Sequence, residues 1–185
     1  FRYQNIFAEM ALTTTLLNSG DNLLPKKYTA THYLSFKPNN KFEIGIFETV
    51  IFARENHFEL QYLNPVILYR AVEHYLDSPD NVILGLNAKW NPIKGISLYG
   101  QFVMDEFKLS EVKKQSGWWA NKFGAQFGMK YMNVLGIDHL DLQLEYNAVR
   151  PYTYAHRDTL PGLAKYSIAN YSHSNQPLAH PLGAN

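Results

Sequence analysis

Two stretches of this chain alternate apolar and polar residues over about ten positions each. From Lys122 to Tyr131, Phe123, Ala125, Phe127, Met129 and Tyr131 interleave with Lys122, Gly124, Gln126, Gly128 and Lys130. From His139 to Ala148, Leu140, Leu142, Leu144, Tyr146 and Ala148 interleave with His139, Asp141, Gln143, Glu145 and Asn147. Successive side chains of a strand point to opposite faces, so each stretch has one apolar and one polar face. Soluble strands usually run to about five or six residues, whereas a tilted strand needs about ten to cross a bilayer. The pattern predicts transmembrane β-strands.

Six strands are expected, at about 28–37, 42–53, 81–91, 96–105, 121–132 and 139–149. The alternation of 42–53 slips near Ile46-Phe47, where a bulge would shift the face. Asn5–Leu17 reads either as a further strand or as an irregular segment. Short connections (Pro38–Lys41, Pro92–Gly95, Asn133–Asp138) alternate with long ones (54–80, 106–120, 150–185). That rhythm is the one of an up-and-down antiparallel outer-membrane β-barrel, with short periplasmic turns and long extracellular loops. Within the first long loop, Val66–Leu76 is expected to form about two helical turns after Asn64-Pro65. Lys122, Lys130, Asp141 and Glu145 share the polar face and must look into a wet or internally paired interior. A Lys or Arg facing lipid at mid-bilayer costs roughly 2–4 kcal/mol. Glycines 124 and 128 on that face leave room for long neighbouring side chains.

Composition narrows the classes. The chain has 185 residues, a net charge of +1 and no basic block, which argues against a nucleic-acid partner. There is no cysteine, so disulfides, thiolate metal sites and Cys nucleophiles are excluded. Aromatics make up 15%, with 13 Tyr and 11 Phe, as expected of interfacial girdles. No apolar run is long enough for a transmembrane helix. Phe1–Met10 lacks a basic segment followed by an apolar core. An export signal is therefore expected to have been removed, or the chain to be a piece of a longer one.

An ordered set of segments resembles the capsule-assembly Wzi family of outer-membrane barrels, Bacteroidota type, which includes gliding-motility-associated members. The segments are Tyr62-Leu63-Asn64-Pro65, Asp80-Asn81, Leu98-Tyr99-Gly100-Gln101-Phe102 leading into Asp105-Glu106-Phe107, and Trp119 with Asn121-Lys122-Phe123-Gly124. Leu144-Glu145-Tyr146 then leads into Arg150-Pro151-Tyr152-Thr153-Tyr154-Ala155-His156, and Asn175–Asn185 completes the set. The resemblance covers most of residues 28–185. It implies a larger barrel, of which this chain would be a middle-to-late fragment with edges needing further strands or a partner. It also implies a role in attaching or assembling surface polysaccharide.

Trp118 and Trp119 in the second long loop offer aromatic faces either to sugar rings or to the headgroup layer. Tyr152, Tyr154, His156, Arg157, Tyr171 and His173 in the third long loop suit a glycan or partner site, or a loop packed into a barrel mouth. His156, His173 and His180 match no zinc spacing, so no metal is expected. His32 and His139 fall on strands, at lumenal or interfacial positions. Glu55, Glu59, Glu73 and Asp77 read as a solvated charged loop rather than a glycosidase pair. Asp105-Glu106, ending a strand at the rim, is expected to fix a loop or to bind a cation loosely rather than to perform chemistry. Neither a Gly-x-Ser-x-Gly elbow nor a Gly-rich phosphate loop is present. The expectation is a non-enzymatic, cofactor-free outer-membrane barrel segment. Its partners would be outer-membrane lipid, surface polysaccharide and other outer-membrane proteins. Three rivals stand beside it: an accessory subunit of a secretion, motility or nutrient-uptake complex, an outer-membrane enzyme acting on lipid or glycan, and a soluble β-sandwich lectin.

Overall fold

The computed structural model describes residues 1–11, 26–53, 59–66, 69, 71, 80–105, 122–155, 169–173 and 176–179. They build a seven-stranded antiparallel meander: β1 (Arg2–Ala11), β2 (Lys26–Asn39), β3 (Phe42–Phe52), β4 (Asn81–Trp90), β5 (Ile96–Met104), β6 (Phe123–Tyr131) and β7 (Leu142–Val149). A short pair follows, β8 (Ser172–His173) with β9 (Gln176–Pro177). The long sheet is open, with β1 and β7 each paired on one side among the described residues.

Six strands lie where the alternation puts them. The seventh, β1, is a correction to the expected six: it pairs along β2 from Arg2↔Ser35 to Ala11↔Lys26. Its pattern is obscured because Asn5 and Glu9 share a face with Tyr3 and Phe7. The start of β7 is a second correction. Asp141 and His139 belong to the preceding turn, not to the strand. The Asn133 N–H donates to Asp141 Oδ1, the His139 N–H donates to Asn133 Oδ1, and both Asn133 and His139 take positive φ. Asp141 is thus a turn-former with no place on the polar wall. A third correction concerns Ile46-Phe47. The pairing Leu34↔Ile46, Tyr33↔Phe47 runs through without a shift, and the irregularity lies between Phe36 and Asn39. Phe47 is instead an apolar residue on the polar face, lying across Gly85, where an added Cβ would fall 2.0 Å from the ring. Of the expected Val66–Leu76 helix, Tyr69 and Ala71 are helical and most of the rest lies outside the described residues.

The turns follow from their residues. Asn39 Oδ1 accepts the N–H groups of Lys41 and Phe42, which closes Pro38–Lys41 as an Asx-type turn. Gly95, at φ +87, closes the next hairpin in a conformation that other residues rarely adopt. All three short turns fall at one end of the sheet. At the other end fall the long connections: 12–25, the segments linking β3 to β4 and β5 to β6, and the chain beyond β7.

Register sorts every residue to a face. One row runs Leu34, Ile46, Leu86, Phe102, Ala125, Ala148 and the adjacent row, on the other face, runs Gly45, Asn87, Gln101, Gln126, Asn147. The first face is apolar and bare over β4–β7: Phe102 is 40% exposed, Phe127 60%, Leu144 56% and Tyr146 70%. The core proper is small and sits on the same face at the long-loop end of β2–β4. There Ala30, Val50, Phe52 and Val82 are buried beneath Tyr62 and Tyr69. The strands are also staggered. His32, Glu48, Leu84, Met104 and Phe123 share one row, yet Phe123 begins β6 whereas β2 begins back at Lys26.

Candidate functional site

The polar face carries three layers of chemistry. At its centre lies the amide row: Asn87, Gln101, Gln126 and Asn147 on four adjacent strands. Direct cross-strand neighbours have Cβ atoms about 4.5–5.5 Å apart, so the row is a continuous band of amide donors and acceptors. The Gln101 amide is exposed and makes no hydrogen bond among the described residues. Asn87 Oδ1 accepts only a long bond from the Tyr33 hydroxyl, at 3.4 Å.

Toward the short-turn end lies a network around Glu145. Its carboxylate accepts from the Tyr99 hydroxyl at 2.7 Å and from Asn147 Nδ2 at 2.9 Å, and Gln126 bonds to it as well. Gln143 Nε2 donates to the Tyr99 oxygen at 2.9 Å. Tyr99 reaches this position by crossing Gly128, where a Cβ would fall 2.2 Å from the ring. The room expected beside Gly128 is thus filled by a neighbouring tyrosine. Beside Gly124, the neighbours a Cβ would meet include Val103 and the Tyr154 hydroxyl.

At the long-loop end, the chain after β7 folds back over the polar face. Lys122 Nζ lies 3.1 Å from Asp105 Oδ2 in a buried ion pair and donates to the Ala155 carbonyl at 2.8 Å. Asp105 therefore fixes a loop, as its rim position suggested. Lys27 Nζ donates to the Asn170 carbonyl and to Ser172 Oγ, and Asn81 Nδ2 donates to the Ala169 carbonyl. The Tyr171 N–H donates to the Tyr154 carbonyl, and the two rings lie 6.1 Å apart. Burial pushes the Tyr171 phenol above its ordinary pKa. Beneath this strap is a half-open pocket of about 450 Å³, walled by Gln101, Gln126, Glu145, Asn147, Tyr154 and Tyr171 among others.

Of the residues singled out in the sequence, Tyr154 and Tyr171 are brought together in this pocket. Tyr152 is exposed, at φ +63, and His173 is exposed on β8. Trp118, Trp119, His156 and Arg157 lie outside the described residues, as do Glu55, Glu73 and Asp77. The amide row and the Glu145 network were missed. Alternation gives the phase of each strand, but only register shows that four amides share a level.

The apolar face has its own polar corner. His32 and Glu48 are fully or almost fully buried there, under the segment that carries Tyr62 and Tyr69. Tyr3 donates to the Pro65 carbonyl at 2.6 Å, so its oxygen accepts from His32 Nδ1 at 2.5 Å. His32 also stacks on Tyr69, with ring centroids 4.3 Å apart. Glu48 Oε2 accepts the Tyr69 backbone N–H at 2.7 Å, and desolvation pushes the Tyr69 phenol up. His32 thus lies under a loop on the apolar face rather than in a lumen. His139 is a turn residue.

No family model, curated protein or solved structure matches this chain. Among the described residues no helix is long and apolar enough to cross a membrane, which says nothing of strands.

Proposed function

We propose that this chain is part of the wall of an outer-membrane β-barrel that holds surface polysaccharide at the cell exterior, without catalysing a reaction. The observation that carries the reading is the bare apolar face of β4–β7. Soluble monomers rarely expose a contiguous apolar patch beyond a few hundred Å². Here large apolar side chains from four adjacent strands stand uncovered, while the opposite face is hydrogen-bonded and polar. Strands of eight to fourteen residues suit a bilayer crossing, which takes about 9–11. The stagger matches the tilt that closure into a barrel imposes. All short turns at one end and all long connections at the other match the periplasmic and extracellular ends of such a wall.

β1 and β7 run in the same direction, so pairing them with each other would give a parallel seam. An up-and-down barrel closes by antiparallel pairs, and this wall closes that way only through an odd number of further strands. The two edges, each unpaired on one side among the described residues, also favour the second reading, an accessory subunit whose neighbour supplies those strands. On the first reading, the protein stays in the membrane fraction after a urea wash, and cells lacking it shed surface polysaccharide into the medium. Unchanged polysaccharide retention in such cells, together with a discrete protein complex recovered around the chain, would move the assignment to the second. Recovery of a monodisperse monomer without detergent would reject both.

A further inference from the structure

The polar face indicates the kind of chain that would lie on it. We propose that the amide row Asn87–Gln101–Gln126–Asn147 is a binding track for an uncharged, hydroxyl-rich glycan strand, and that it discriminates against acidic glycans. This rests on the wall reading above, since it needs the polar face to line a water-filled interior.

Three observations carry it. First, the track is continuous. The pocket beneath the Tyr154–Tyr171 strap and a second hollow toward the short turns, bordered by Tyr33, Glu43 and Lys89, share Gln101 and Gln126. The two hollows therefore meet at the row. Second, the row is open for business with hydroxyls. An amide offers two donors and an acceptor, and a sugar hydroxyl offers one donor and two acceptor sites. Among the described residues Gln101 makes no side-chain hydrogen bond, and Asn87 is held only by the long bond from Tyr33. Neighbouring strands stand about 4.7–4.9 Å apart, a step close to the length of one sugar ring.

Third, the described residues lining the track carry one more carboxylate than cation and lack the clustered arginines by which acidic motifs are held. Glu43 lies directly opposite Lys89. The pocket beneath the strap has Glu145 as its one charged lining residue. Its oxygens are occupied by Tyr99, Gln126 and Asn147, all neutral donors, and among the described residues no cation pairs with it. An acidic sugar entering that pocket would meet a like charge, whereas a neutral sugar would meet amides and the Tyr154 and Tyr171 rings.

The test is equilibrium binding to the full chain in detergent micelles, with a cellulose-derived glucose oligomer and a galacturonic acid oligomer of equal length as probes. The glucose oligomer is expected to bind at least about tenfold more tightly. Gln101→Ala combined with Gln126→Ala is expected to weaken it about tenfold while the circular dichroism spectrum stays unchanged, because Gln101 is exposed and Glu145 keeps the Tyr99 and Asn147 donors when Gln126 is lost. Glu145→Gln is expected to narrow the gap between the two probes by improving the acidic one. Equal or tighter binding of the galacturonic acid oligomer, no binding of either, or indifference to the paired alanine substitutions would overturn the proposal. A chain that inserts into lipid yet fails these tests leaves the wall reading standing. A chain that never enters lipid removes both.

Discussion

The apolar face of this sheet is finished in two different ways. Over β4–β7 it is bare, with Phe127, Leu144 and Tyr146 more than half exposed. Over the long-loop end of β1–β3 a polar row, Asn5, His32 and Glu48, interrupts it, and the segment around Tyr62 and Tyr69 seals this row together with the apolar core beyond it, Ala30, Val50 and Phe52. The staggered strands explain why one face needs both treatments. The ends of β2 and β3 project past those of β5–β7 and leave the apolar band behind. A strand within lipid is covered by lipid and asks only for apolar side chains. A strand beyond it must find protein cover, and that cover brings backbone groups that need partners. Glu48 supplies one by accepting the Tyr69 N–H. On the proposed wall reading, this polar corner marks where the membrane band would end.

The sharpest contrast between the two regions comes from removing one tyrosine in each. Tyr69→Ala empties a site buried against His32 and Tyr62, and large-to-small changes of this kind cost about 3–5 kcal/mol. Tyr146→Ala, on the bare wall, is expected to cost about 1 kcal/mol or less. Thermal unfolding in detergent, followed by circular dichroism, measures both. A smaller and more telling effect is expected from Glu48→Leu. It makes the apolar face more apolar, yet it orphans the Tyr69 N–H and is expected to destabilise by about 1.5–3 kcal/mol. A gain in stability would mean that the corner is simply more lipid-facing wall.

The other face offers a small effect as well. Tyr99→Phe removes one hydroxyl shared by Glu145 and Gln143, half-exposed over Gly128, and is expected to cost about 0.5–1.5 kcal/mol. A loss as large as that of Tyr69→Ala would show that the polar face, rather than the covered corner, holds the sheet together.

What the sequence revealed follows from the same contrast. Where one face of the sheet is uniformly apolar and the other polar, alternation is clean, and β4 to β7 stand out by eye. Where protein covers the apolar face, polar residues intrude, so β1 with its Asn5 and Glu9 is ambiguous. Phe47 suggested a bulge because sequence cannot show that Gly85 lies opposite and makes room for a ring on the polar side. Asp141 looked like wall and proved to be a turn-former, since its partner Asn133 lies across the hairpin. In the candidate site, Tyr154 and Tyr171 were legible as aromatic loop residues. The amide row was not, because it exists only once register aligns four strands.

The central claim is that one face of the sheet meets lipid and the other meets water. Gln101 and Phe102 are adjacent residues of β5 and point to opposite faces. Refolding into lipid vesicles should accept Gln101→Arg at near wild-type yield. Phe102→Arg should fail or fold with a loss of roughly 2–4 kcal/mol, the range for a charge forced into the bilayer wall. Equal tolerance of both, or a greater loss from Gln101→Arg, would contradict the account.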